Sequence, residues 1–379
     1  MDSSSINRKS IDLHRKNRGV FSVAIKVPLR NIEDLSWIYT PGVGAVSSFL
    51  KEHKNKTREY TMKGNSIAVI SDGSAVLGLG NIGPEGALPV MEGKCLIFKK
   101  FADIDAVPIV LDTQNTEEII KTVKAISPAF GGINLEDISA PRCFAIEKRL
   151  KQELSIPVMH DDQHGTAIIV LAGLLNALNV VNKKLPDTGI VVSGAGAAGT
   201  AIVKLLVRAG AKNIIVLDRK GIIYKKQGLP AHKYEIASIT NPKKREGDLT
   251  EALSGADVFI GVSGPDLVSQ EMIRKMNDDS IVFALANPIP EIMPDIALKA
   301  GAKVVATGRS DFPNQLNNAQ VFPGVFRGAL DHGVKTINDE IKIKAAYAIA
   351  GLIKHPTPDR IITGIFDKRL VRTVADVIR

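Results

Sequence analysis

The chain has 379 residues, of which 45% are hydrophobic and 23% charged, and this composition predicts a globular protein with two domains and a substantial core in each. Its formal net charge is +9, but the lysines and arginines are dispersed in short groups without interleaved aromatics, so the charge does not favour a nucleic-acid-binding protein. A positive field also attracts small anionic substrates and cofactor phosphates. We therefore interpret the charge as a means of steering such ligands towards the protein and of keeping the protein soluble.

The first feature along the chain is a turn that follows a polar, basic start. Residues 1–30 contain no apolar signal-peptide segment, and a helix could begin near Ser10. Pro41 and Gly42 then force a turn directly after Tyr39, so the phenolic hydroxyl lies at the tip of a rigid turn. On this pattern alone, such a tyrosine is more often a core residue with one hydrogen bond than a catalytic acid.

Strand and helix signals alternate from Ser66 onwards and predict a small α/β domain. A β-branched strand over residues 66–70 leads into a glycine-rich loop over residues 77–86. We do not interpret this loop as a dinucleotide-binding turn, because Pro84 and Glu85 interrupt the step into a helix and no acidic residue closes a second strand at the usual distance. The glycines instead predict a close approach of the backbone to a ligand or another loop.

Residues 95–98 are predicted to form a buried strand with Lys94 at its entrance. A lysine in this place is usually a surface residue. Held near a divalent cation and partly desolvated, however, it would have a pKa below the reference value of about 10.4 and could act as a base. Cys95 and Cys143 lie far apart among apolar residues, which predicts buried thiols in a reducing compartment and therefore a cytoplasmic protein.

Two short acidic segments, residues 134–137 and 160–166, predict a divalent-metal site. A helix over residues 145–154 and a strand over residues 156–159 separate them and would bring them to the same end of the domain. They offer the carboxylates of Glu136, Asp137, Asp161 and Asp162. Clustered oxygen ligands suit Mg²⁺ or Mn²⁺. Each segment alone is more often a solvated loop or helix cap, so the prediction depends on their pairing.

The next segment predicts a long apolar helix and then a nucleotide-binding unit. The helix covers residues 167–181, and the longest apolar run, residues 167–175, is too short to span a membrane. A strand over residues 189–193, a glycine-rich turn, a helix over residues 200–209 and a strand over residues 213–217 follow. The turn consists of Gly194, Ala195, Gly196, Ala197, Ala198 and Gly199.

This turn has the features of a dinucleotide site. Gly194 permits the tight turn, Gly196 lets backbone amides approach a pyrophosphate at the helix N-terminus, and Gly199 allows close helix packing. Asp218, directly after the second strand, would accept hydrogen bonds from the adenosine ribose. The acid favours NAD, whereas the adjacent Arg219 and Lys220 could take up the 2′-phosphate of NADP.

Further strands over residues 257–262, 280–285 and 303–306 continue the alternation and place Ser263, Asn287, Asn317 and Asn318 in loops on the ligand-binding side of the sheet. Each of these residues alone is more often a plain turn former. The predicted fold is therefore α/β with two domains. A small substrate and metal domain covers residues 1–164, and a Rossmann-type doubly wound parallel sheet with C-terminal helices covers residues 165–379.

From Tyr39 onwards the sequence resembles the malic enzymes of the short prokaryotic type. The matching blocks are YTPGVG at Tyr39, SDG at Ser71, LGLGNIG at Leu77, EGK at Glu92, NLEDI at Asn134, HDDQHGTA at His160, the glycine turn, ANP at Ala286, NQLNN at Asn314 and FPG at Phe322. The resemblance implies oxidative decarboxylation of (S)-malate to pyruvate and CO₂, with NAD⁺ or NADP⁺ taking the hydride.

The resemblance also implies roles for individual residues. Glu136, Asp137 and Asp162 would hold Mg²⁺ or Mn²⁺, a Lewis acid that chelates malate. Lys94 would be the general base for the malate hydroxyl, and Asp161 would position it.

Tyr39 would donate the proton that converts enolpyruvate to pyruvate. Asn287 and Asn318, together with Asn317 as a third candidate, would hydrogen-bond the substrate carboxylate or the nicotinamide ribose.

Two positions depart from the family pattern. Larger eukaryotic relatives carry a substrate-gripping arginine where this chain has Ala75, so another group must neutralise that carboxylate. His164 stands where many relatives have glutamine. Its spacing from His160 would also fit zinc, but the surrounding carboxylates favour a harder cation.

The sequence is compatible with two alternatives. One is a malolactic-type enzyme that keeps the nicotinamide bound and releases lactate, and another is a catalytically idle nucleotide-binding or regulatory protein. We expect a homo-oligomer, a dimer or larger, with small-molecule substrates and without nucleic-acid or membrane partners. The choice between NAD and NADP, and the subunit in which Tyr39 acts, stay open.

Overall fold

The computed structural model describes residues 3–76 and 78–379. Leu77, within the predicted glycine-rich loop, lies outside the described residues, as do Met1 and Asp2. Within the described ranges the chain forms two β-sheets with helices packed on them. The strands are β1 (Ser66–Ser71), β2 (Asp105–Val110), β3 (Gly132–Leu135), β4 (Val158–His160), β5 (Gly189–Ser193), β6 (Asn213–Asp218), β7 (Gly221–Ile222), β8 (Val258–Gly261), β9 (Ile281–Ala284) and β10 (Val304–Thr307).

The α-helices of the described residues alternate with these strands and continue to the C-terminus. They are α1 (Ser3–Asn17), α2 (Ile32–Ile38), α3 (Val43–Glu52), α4 (Thr57–Tyr60), α5 (Gly83–Ala102), α6 (Thr116–Ile126), α7 (Arg142–Glu153), α8 (Asp161–Val180), α9 (Ala197–Arg208), α10 (Ala231–Ile239), α11 (Leu249–Leu253), α12 (Gln270–Arg274), α13 (Pro294–Lys299), α14 (Phe322–Asp331), α15 (Asp339–Ala350) and α16 (Leu370–Ala375).

The first sheet has the strand order β2-β1-β3-β4, and all neighbouring strands run parallel. Strands β1, β3 and β4 are buried along their whole length. Parallel sheets are covered by helices on both faces, so their strands need near-continuous apolar runs such as residues 67–70. Helices α5, α6 and α7 connect successive strands. The predicted small α/β domain is confirmed.

The second sheet has the strand order β10-β9-β8-β5-β6-β7. Its strands run parallel except β7, which is antiparallel to β6 and was not predicted. The chain leaves β5 for β6 on one side and later forms β8 on the other side, so the strand order reverses at β5. Ligands of doubly wound sheets bind at the carboxyl ends of the strands at such a reversal. The Rossmann-type prediction is confirmed.

Helix α8 joins the two sheets and begins six residues before its predicted start at residue 167. The second acidic segment therefore forms the first helical turn instead of a loop. Aspartates are favourable there because the helix N-terminus carries a partial positive charge, whereas Gly165 weakened the helical signal in the sequence. By length and composition α8 could cross a membrane, but 72% of its apolar window is buried inside the protein, and α8 packs as a core helix against α9 and α15.

The strand predicted for residues 95–98 is wrong, because these residues lie within α5. The internal Pro89 and several glycines obscured the helix in the sequence. Pro84, which we expected to interrupt the step from the loop into a helix, lies at the start of α5, where a missing N–H has no cost. The buried apolar positions nevertheless recur at helical spacing, at Ala87, Met91, Cys95, Phe98 and Ala102. Lys94 projects from this buried face in the middle of the helix.

Other predicted elements differ from the structure at their ends. Helix α7 begins at Arg142, three residues before its predicted start, and β4 begins at Val158, two residues after it. Helix α9 begins at Ala197, inside the predicted turn. Apolar periodicity fixes the middle of an element better than its termini, so these shifts change no connection.

The segment from α1 to α3 lies on the outside of the first domain. Helix α3 has no buried residue, and the large apolar side chains of Val23, Ile25 and Trp37 are exposed. A hydrogen bond from the backbone N–H of Val20 to Glu92 Oε2, at 3.0 Å, ties the segment to α5. The segment therefore presents an apolar surface that the single chain does not cover.

Candidate functional site

The carboxyl ends of β1, β3 and β4 gather the predicted acidic residues at one edge of the first sheet. Ile70 of β1 pairs with Leu135 of β3, and Leu135 pairs with His160 of β4. Glu136 and Asp161 each follow directly after a paired strand end, so they emerge side by side. The register of a parallel sheet therefore brings the two acidic segments together, as the sequence predicted.

Lys94 lies between two of these carboxylates. Its Nζ is 2.6 Å from Asp161 Oδ2 and 2.5 Å from Glu136 Oε1, and all three side chains are buried. The same Nζ lies 4.4 Å from the centre of the Phe322 ring, whose face also attracts a cation. The structure thus brings together Lys94 and Asp161, which were predicted as a pair, and adds Glu136 as a second partner.

Glu136, Asp137 and Asp162 form the carboxylate cluster. One ligand atom from each of the three lies within 4.8 Å of the others. Asp137 has a left-handed backbone with φ of 53°, and its N–H donates to Asp162 Oδ2 at 2.9 Å. Asp137 Oδ2 is buried without a hydrogen-bond partner among the described residues. An oxygen in this state, within a set of carboxylate donors, fits a bound divalent cation such as Mg²⁺ or Mn²⁺.

The pKa values of the cluster point to the same conclusion. Burial, together with the negative charges of Asp162 and Glu136, raises the pKa of Asp137 to about 9. Burial likewise raises the pKa of Asp162 to about 6, against the opposing effect of Lys94. Buried like charges disfavour ionisation, and a bound cation would reverse this effect. The cluster therefore has the electrostatic character of a site that a cation completes.

The pKa of Lys94 differs from the sequence-based expectation. Burial alone would lower it, but the charges of Asp161, Glu136 and Asp162 outweigh burial and raise it above its ordinary value. The expected low pKa assumed a nearby divalent cation. With the carboxylates alone as neighbours, Lys94 is a firmly held ammonium group.

A buried network behind the carboxylates was not found from the sequence. Glu147 of α7 accepts hydrogen bonds from the backbone N–H of His160, at 2.9 Å, and from His164 Nε2, at 2.9 Å. Lys151 Nζ lies 2.7 Å from the same carboxylate. Burial would raise the pKa of Glu147, but His164 and Lys151 outweigh it and hold the pKa well below its usual range. Since burial lowers the pKa of His164 to about 4, Lys151 supplies the counter-charge at neutral pH.

One signal could have pointed to Glu147. It shares a helical face with Cys143, Ile146 and Leu150, so a carboxylate stands on a buried stripe of α7 and needs partners. The network also engages the imidazole of His164, which therefore is not directed to a zinc site with His160.

Tyr39 directly follows α2 and is 65% exposed, whereas Lys94, Glu136, Asp137 and Asp161 are buried. Within residues 3–76 and 78–379, the hydroxyl of Tyr39 takes part in no hydrogen bond. The predicted turn at Pro41 and Gly42 is present, and Val43 begins α3 immediately afterwards.

The glycine turn of the second domain has the predicted geometry. Gly194 adopts a φ of +116°, and a Cβ on Gly199 would lie 1.7 Å from the carbonyl oxygen of Gly194. Only glycine allows this approach of helix to turn. Gly196 caps α9 in an extended conformation, and no side chain caps this helix N-terminus. Its backbone N–H groups are therefore free for a phosphate.

Asp218 ends β6 beside this turn, but its carboxylate is already engaged. Oδ2 lies 2.5 Å from Lys233 Nζ, and Oδ1 accepts the backbone N–H of Lys220 at 2.7 Å. Lys233 comes from α10 and was not predicted as part of the site. Lys233 lies 15 residues after Asp218 in the chain, and no local sequence pattern connects the two residues.

The loops after β8 and β9 meet at a buried glutamate that the sequence did not reveal. Glu291 accepts the backbone N–H of Ser263 at 2.9 Å and that of Ala286 at 3.0 Å. Ser263 Oγ also lies 3.1 Å from Ser193 Oγ, at the end of β5. Ser263 thus lies in a loop at the carboxyl end of β8, the side of the sheet that was predicted, and next to the reversal of strand order.

The predicted asparagines occupy different environments. A Cβ on Gly78 would lie 2.7 Å from the carbonyl oxygen of Asn287, so the glycine-rich loop of the first domain approaches the second domain closely. At Gly78 this contact confirms the predicted close approach, whereas a Cβ on Gly80 or Gly83 would meet nothing within 4 Å. A Cβ on Gly165 would lie 3.0 Å from Cβ of Asn318, which places Asn318 beside α8. Asn317 instead caps a short 3₁₀ helix, where its side chain accepts the N–H of Ala319.

Comparison with known proteins agrees with this geometry. A protein-family model for the malic enzyme N-terminal domain matches residues 15–151, and a model for the malic enzyme NAD binding domain matches residues 163–368. The chain is 51% identical over 378 residues to a bifunctional malic/malolactic enzyme of Bacillus subtilis (strain 168), covering 99% of this chain and 92% of that relative.

Two further similarities extend along the chain. An NAD-dependent malic enzyme of Geobacillus stearothermophilus is 54% identical over 356 residues, which cover 93% of this chain and 74% of the relative. The crystal structure of an NAD-dependent malic enzyme from Thermotoga maritima has a TM-score of 0.94 at 49% identity and covers 100% of this chain and 99% of its own. With both domains matched and this identity maintained from end to end, the chain belongs to the malic enzyme family.

Proposed function

We propose that this protein oxidatively decarboxylates (S)-malate to pyruvate and CO₂ and passes the hydride to NAD⁺ or NADP⁺. The observation that carries the proposal is the buried arrangement of Lys94 between Asp161 and Glu136, next to the carboxylate cluster. A base and a set of cation ligands on one sheet edge provide what removal of a hydroxyl proton and loss of CO₂ require. Relatives named malic enzyme support the same reaction.

Within this proposal, Glu136, Asp137 and Asp162 hold Mg²⁺ or Mn²⁺. The chemistry that a divalent cation supplies there is Lewis-acid polarisation of the hydroxyl and carboxylate oxygens of malate. Glu136 also contacts Lys94, so its engagement as a ligand leaves Asp161 as the main anionic partner of the amine. A cation bound by Glu136 would lower the pKa of Lys94 from its raised value, which is the direction that the role of general base requires.

We propose that Asp161 holds the Lys94 amine in place. We also propose that Tyr39 donates the proton that converts enolpyruvate to pyruvate. Gly194, Gly196 and Gly199, with the intervening Ala195, Ala197 and Ala198, form the turn that receives the cofactor pyrophosphate. Asp218 faces the adenosine ribose, and Ser263 and Asn287 lie towards the nicotinamide side. Asn318 lies beside Gly165 of α8, whereas the side chain of Asn317 is used as a cap, so Asn318 is the better candidate for the substrate carboxylate.

We further propose that the protein is a homo-oligomer and that Tyr39 acts in the site of a second copy. Monomeric proteins rarely expose large contiguous apolar patches, and the segment from α1 to α3 exposes several large apolar side chains. Val23, Ile25, Ile32 and Trp37 are all exposed on this segment, and Tyr39 is exposed among them. A second copy would cover the segment and carry Tyr39 to a carboxylate cluster.

The proposal also includes a domain boundary and a location in the cell. We place the domain boundary at residues 164 and 165, although α8 runs continuously across it, so that the first turn of α8 belongs to the substrate domain and the rest supports the cofactor domain. A cytoplasmic location is supported by Cys95 and Cys143, which are buried free thiols.

The second candidate is malate-to-lactate conversion, which the name of the Bacillus subtilis relative favours. Product analysis separates the two functions. The purified protein is incubated with (S)-malate, Mn²⁺ and either NAD⁺ or NADP⁺, and reduced cofactor, pyruvate and lactate are measured together. We expect pyruvate and reduced cofactor in equal amounts. Lactate without accumulation of reduced cofactor would establish the malolactic reaction instead.

A further inference from the structure

The ammonium group of Lys94 has a third contact, on the face of an aromatic ring. Its Nζ lies 2.6 Å from Asp161 Oδ2, 2.5 Å from Glu136 Oε1 and 4.4 Å from the centre of the Phe322 ring. A lysine ammonium group has three N–H donors, and two of them suffice for the two carboxylates. The ring meets the group from a further side, with the electron-rich face that attracts a cation most strongly where water is excluded.

Helix α14 holds this ring in one place. Phe322 is the first residue of α14, and Pro323 follows it in the first helical turn, where a missing N–H has no cost. A Cβ on Gly324 would lie 2.6 Å from Cβ of Val374 in α16, so the glycine allows α14 to pack closely on α16. Phe322 is fully buried. The sequence FPG therefore builds a ring position with little freedom to shift.

The same ring contacts the helix that carries the lysine. Phe98 lies one turn after Lys94 in α5, and its ring centre is 4.7 Å from that of Phe322. Helix α5 packs on the strands of the first sheet, whereas α14 follows the last strand of the second sheet in the chain. A residue from the C-terminal part of the chain therefore forms one wall around the proposed base.

We propose that Phe322 is a positioning residue for Lys94, whose ring face fixes the amine and stabilises the positive charge that Nζ gains from the malate hydroxyl proton. This inference rests on the proposed function, since it concerns the base of that reaction. The hydride leaves C2 of malate for the cofactor, the hydroxyl proton passes to the lone pair of Nζ, and a C2 carbonyl remains. The amine thus gains the positive charge that the cofactor loses, and an aromatic face beside it favours this change.

The test compares two phenylalanines of the same helix. Phe322 and Phe326 are both fully buried in α14, and both rings pack on the ring of Phe98. Of the two, Phe322 has the contact with the Lys94 amine within the described residues. Phe322→Leu and Phe326→Leu each remove one buried ring, so we expect similar losses of thermal stability.

The two variants should differ in their kinetics. Malate turnover is measured with Mn²⁺ and saturating NAD⁺ or NADP⁺, at a pH above which kcat of each protein no longer rises. We expect Phe322→Leu to lower kcat by about tenfold while KM for malate changes by less than about threefold, because the ring acts on the base. Phe326→Leu should keep the wild-type kcat. Equal kcat in the two variants would overturn the inference.

A graded change of the ring keeps the inference testable should a leucine variant fold poorly. Fluorine atoms withdraw electrons from the face of a phenyl ring and hardly change its shape. Phenylalanine carrying one, two or three fluorines is incorporated at position 322, and kcat should fall with each added fluorine. The same series at position 326 should leave kcat unchanged. A flat series at position 322 would mean that the ring acts through its shape alone, which would overturn the inference.

Turnover by the wild type in the same assay separates this inference from the proposed function. Absence of malate turnover with either cofactor would remove the proposed function and, with it, the base that Phe322 holds. Turnover by the wild type together with a flat fluorine series would remove the inference alone.

Discussion

At the scale of single residues, the site depends on how Lys94 is held. Its ammonium group is buried between Asp161 and Glu136, and no apolar alternative could satisfy two buried carboxylates. The arrangement also explains why one residue type is needed here. An arginine would fit the charge, but only an amine can release and accept a proton near neutral pH.

The first prediction concerns this lysine. Lys94→Met keeps the length of the side chain and removes the amine, so we expect malate turnover to fall by about 10²-fold or more, the usual contribution of a general base. Binding of NAD⁺, measured by calorimetry, should be retained because the cofactor turn is untouched. Normal turnover by the variant would remove Lys94 as the base.

A control separates this effect from the loss of a buried lysine. Lys342 is buried in α15 and pairs with Asp339 at 3.0 Å, outside the proposed machinery. Lys342→Met should therefore lower thermal stability to a similar or smaller extent while malate turnover remains.

From the sequence, the residues of the site were easier to predict than the contacts that they make. Glu136, Asp137, Asp161 and Asp162 were recognisable because they cluster in two short segments, and sheet register then joins the segments. Lys233 and Glu291 were not recognisable. Their partners are brought to them by the packing of α10 and of the loop after β9, and no local pattern encodes such contacts.

At the scale of elements, α8 links the chemistry to the fold. Its first turn carries Asp161 and Asp162, and its later turns are buried against α9 and α15. Glycine at position 165 leaves room for the Asp161 side chain, because a Cβ there would lie 2.0 Å from Asp161 Oδ1. The helix therefore fixes the carboxylates through a position that tolerates no side chain.

This leads to a prediction for Gly165→Ala. The added methyl group must displace Asp161 or the facing Asn318, so we expect malate turnover to fall by about tenfold or more even though alanine favours the helix. Gly173→Ala in the same helix is the control, since its Cβ would meet only the flexible end of Leu316, 2.8 Å away. Steady-state kinetics of both variants measure the difference, and equal activity in the two would contradict this role of Gly165.

The elements themselves were predictable to different degrees. The Rossmann half was read correctly because strand, glycine turn, helix and acid follow in a fixed order. Helix α5 was not, because Pro89 and its glycines lowered the helical signal, although its buried residues recur at helical spacing. The start of α8 was placed too late for the same reason, with Gly165 inside its first turn.

At the scale of the whole molecule, the exposed segment from α1 to α3 is the surface on which we propose that a second chain completes the site. Its apolar side chains have no cover in the single chain, and Tyr39 is among them. Sequence reasoning identified Tyr39 by its motif but left its subunit open, since no pattern along one chain reports on a second copy.

Subunit mixing tests this arrangement. Tyr39→Phe and Lys94→Met proteins, each impaired alone, are unfolded together, refolded and assayed with malate and Mn²⁺. If Tyr39 serves the partner's site, mixed oligomers contain a site with both residues intact, and activity returns. Absence of recovery, with mixed oligomers demonstrated by differently tagged chains, would place Tyr39 in the site of its own chain.

We propose that the carboxylate cluster binds the divalent cation on which malate turnover depends. The test is to measure Mn²⁺ binding to the wild type and to Asp137→Asn by electron paramagnetic resonance, alongside malate turnover. We predict one Mn²⁺ per wild-type chain, with binding and turnover lost together in the variant and turnover abolished by a chelator. Unchanged Mn²⁺ binding in Asp137→Asn, or full turnover of malate without any divalent cation, would contradict the claim.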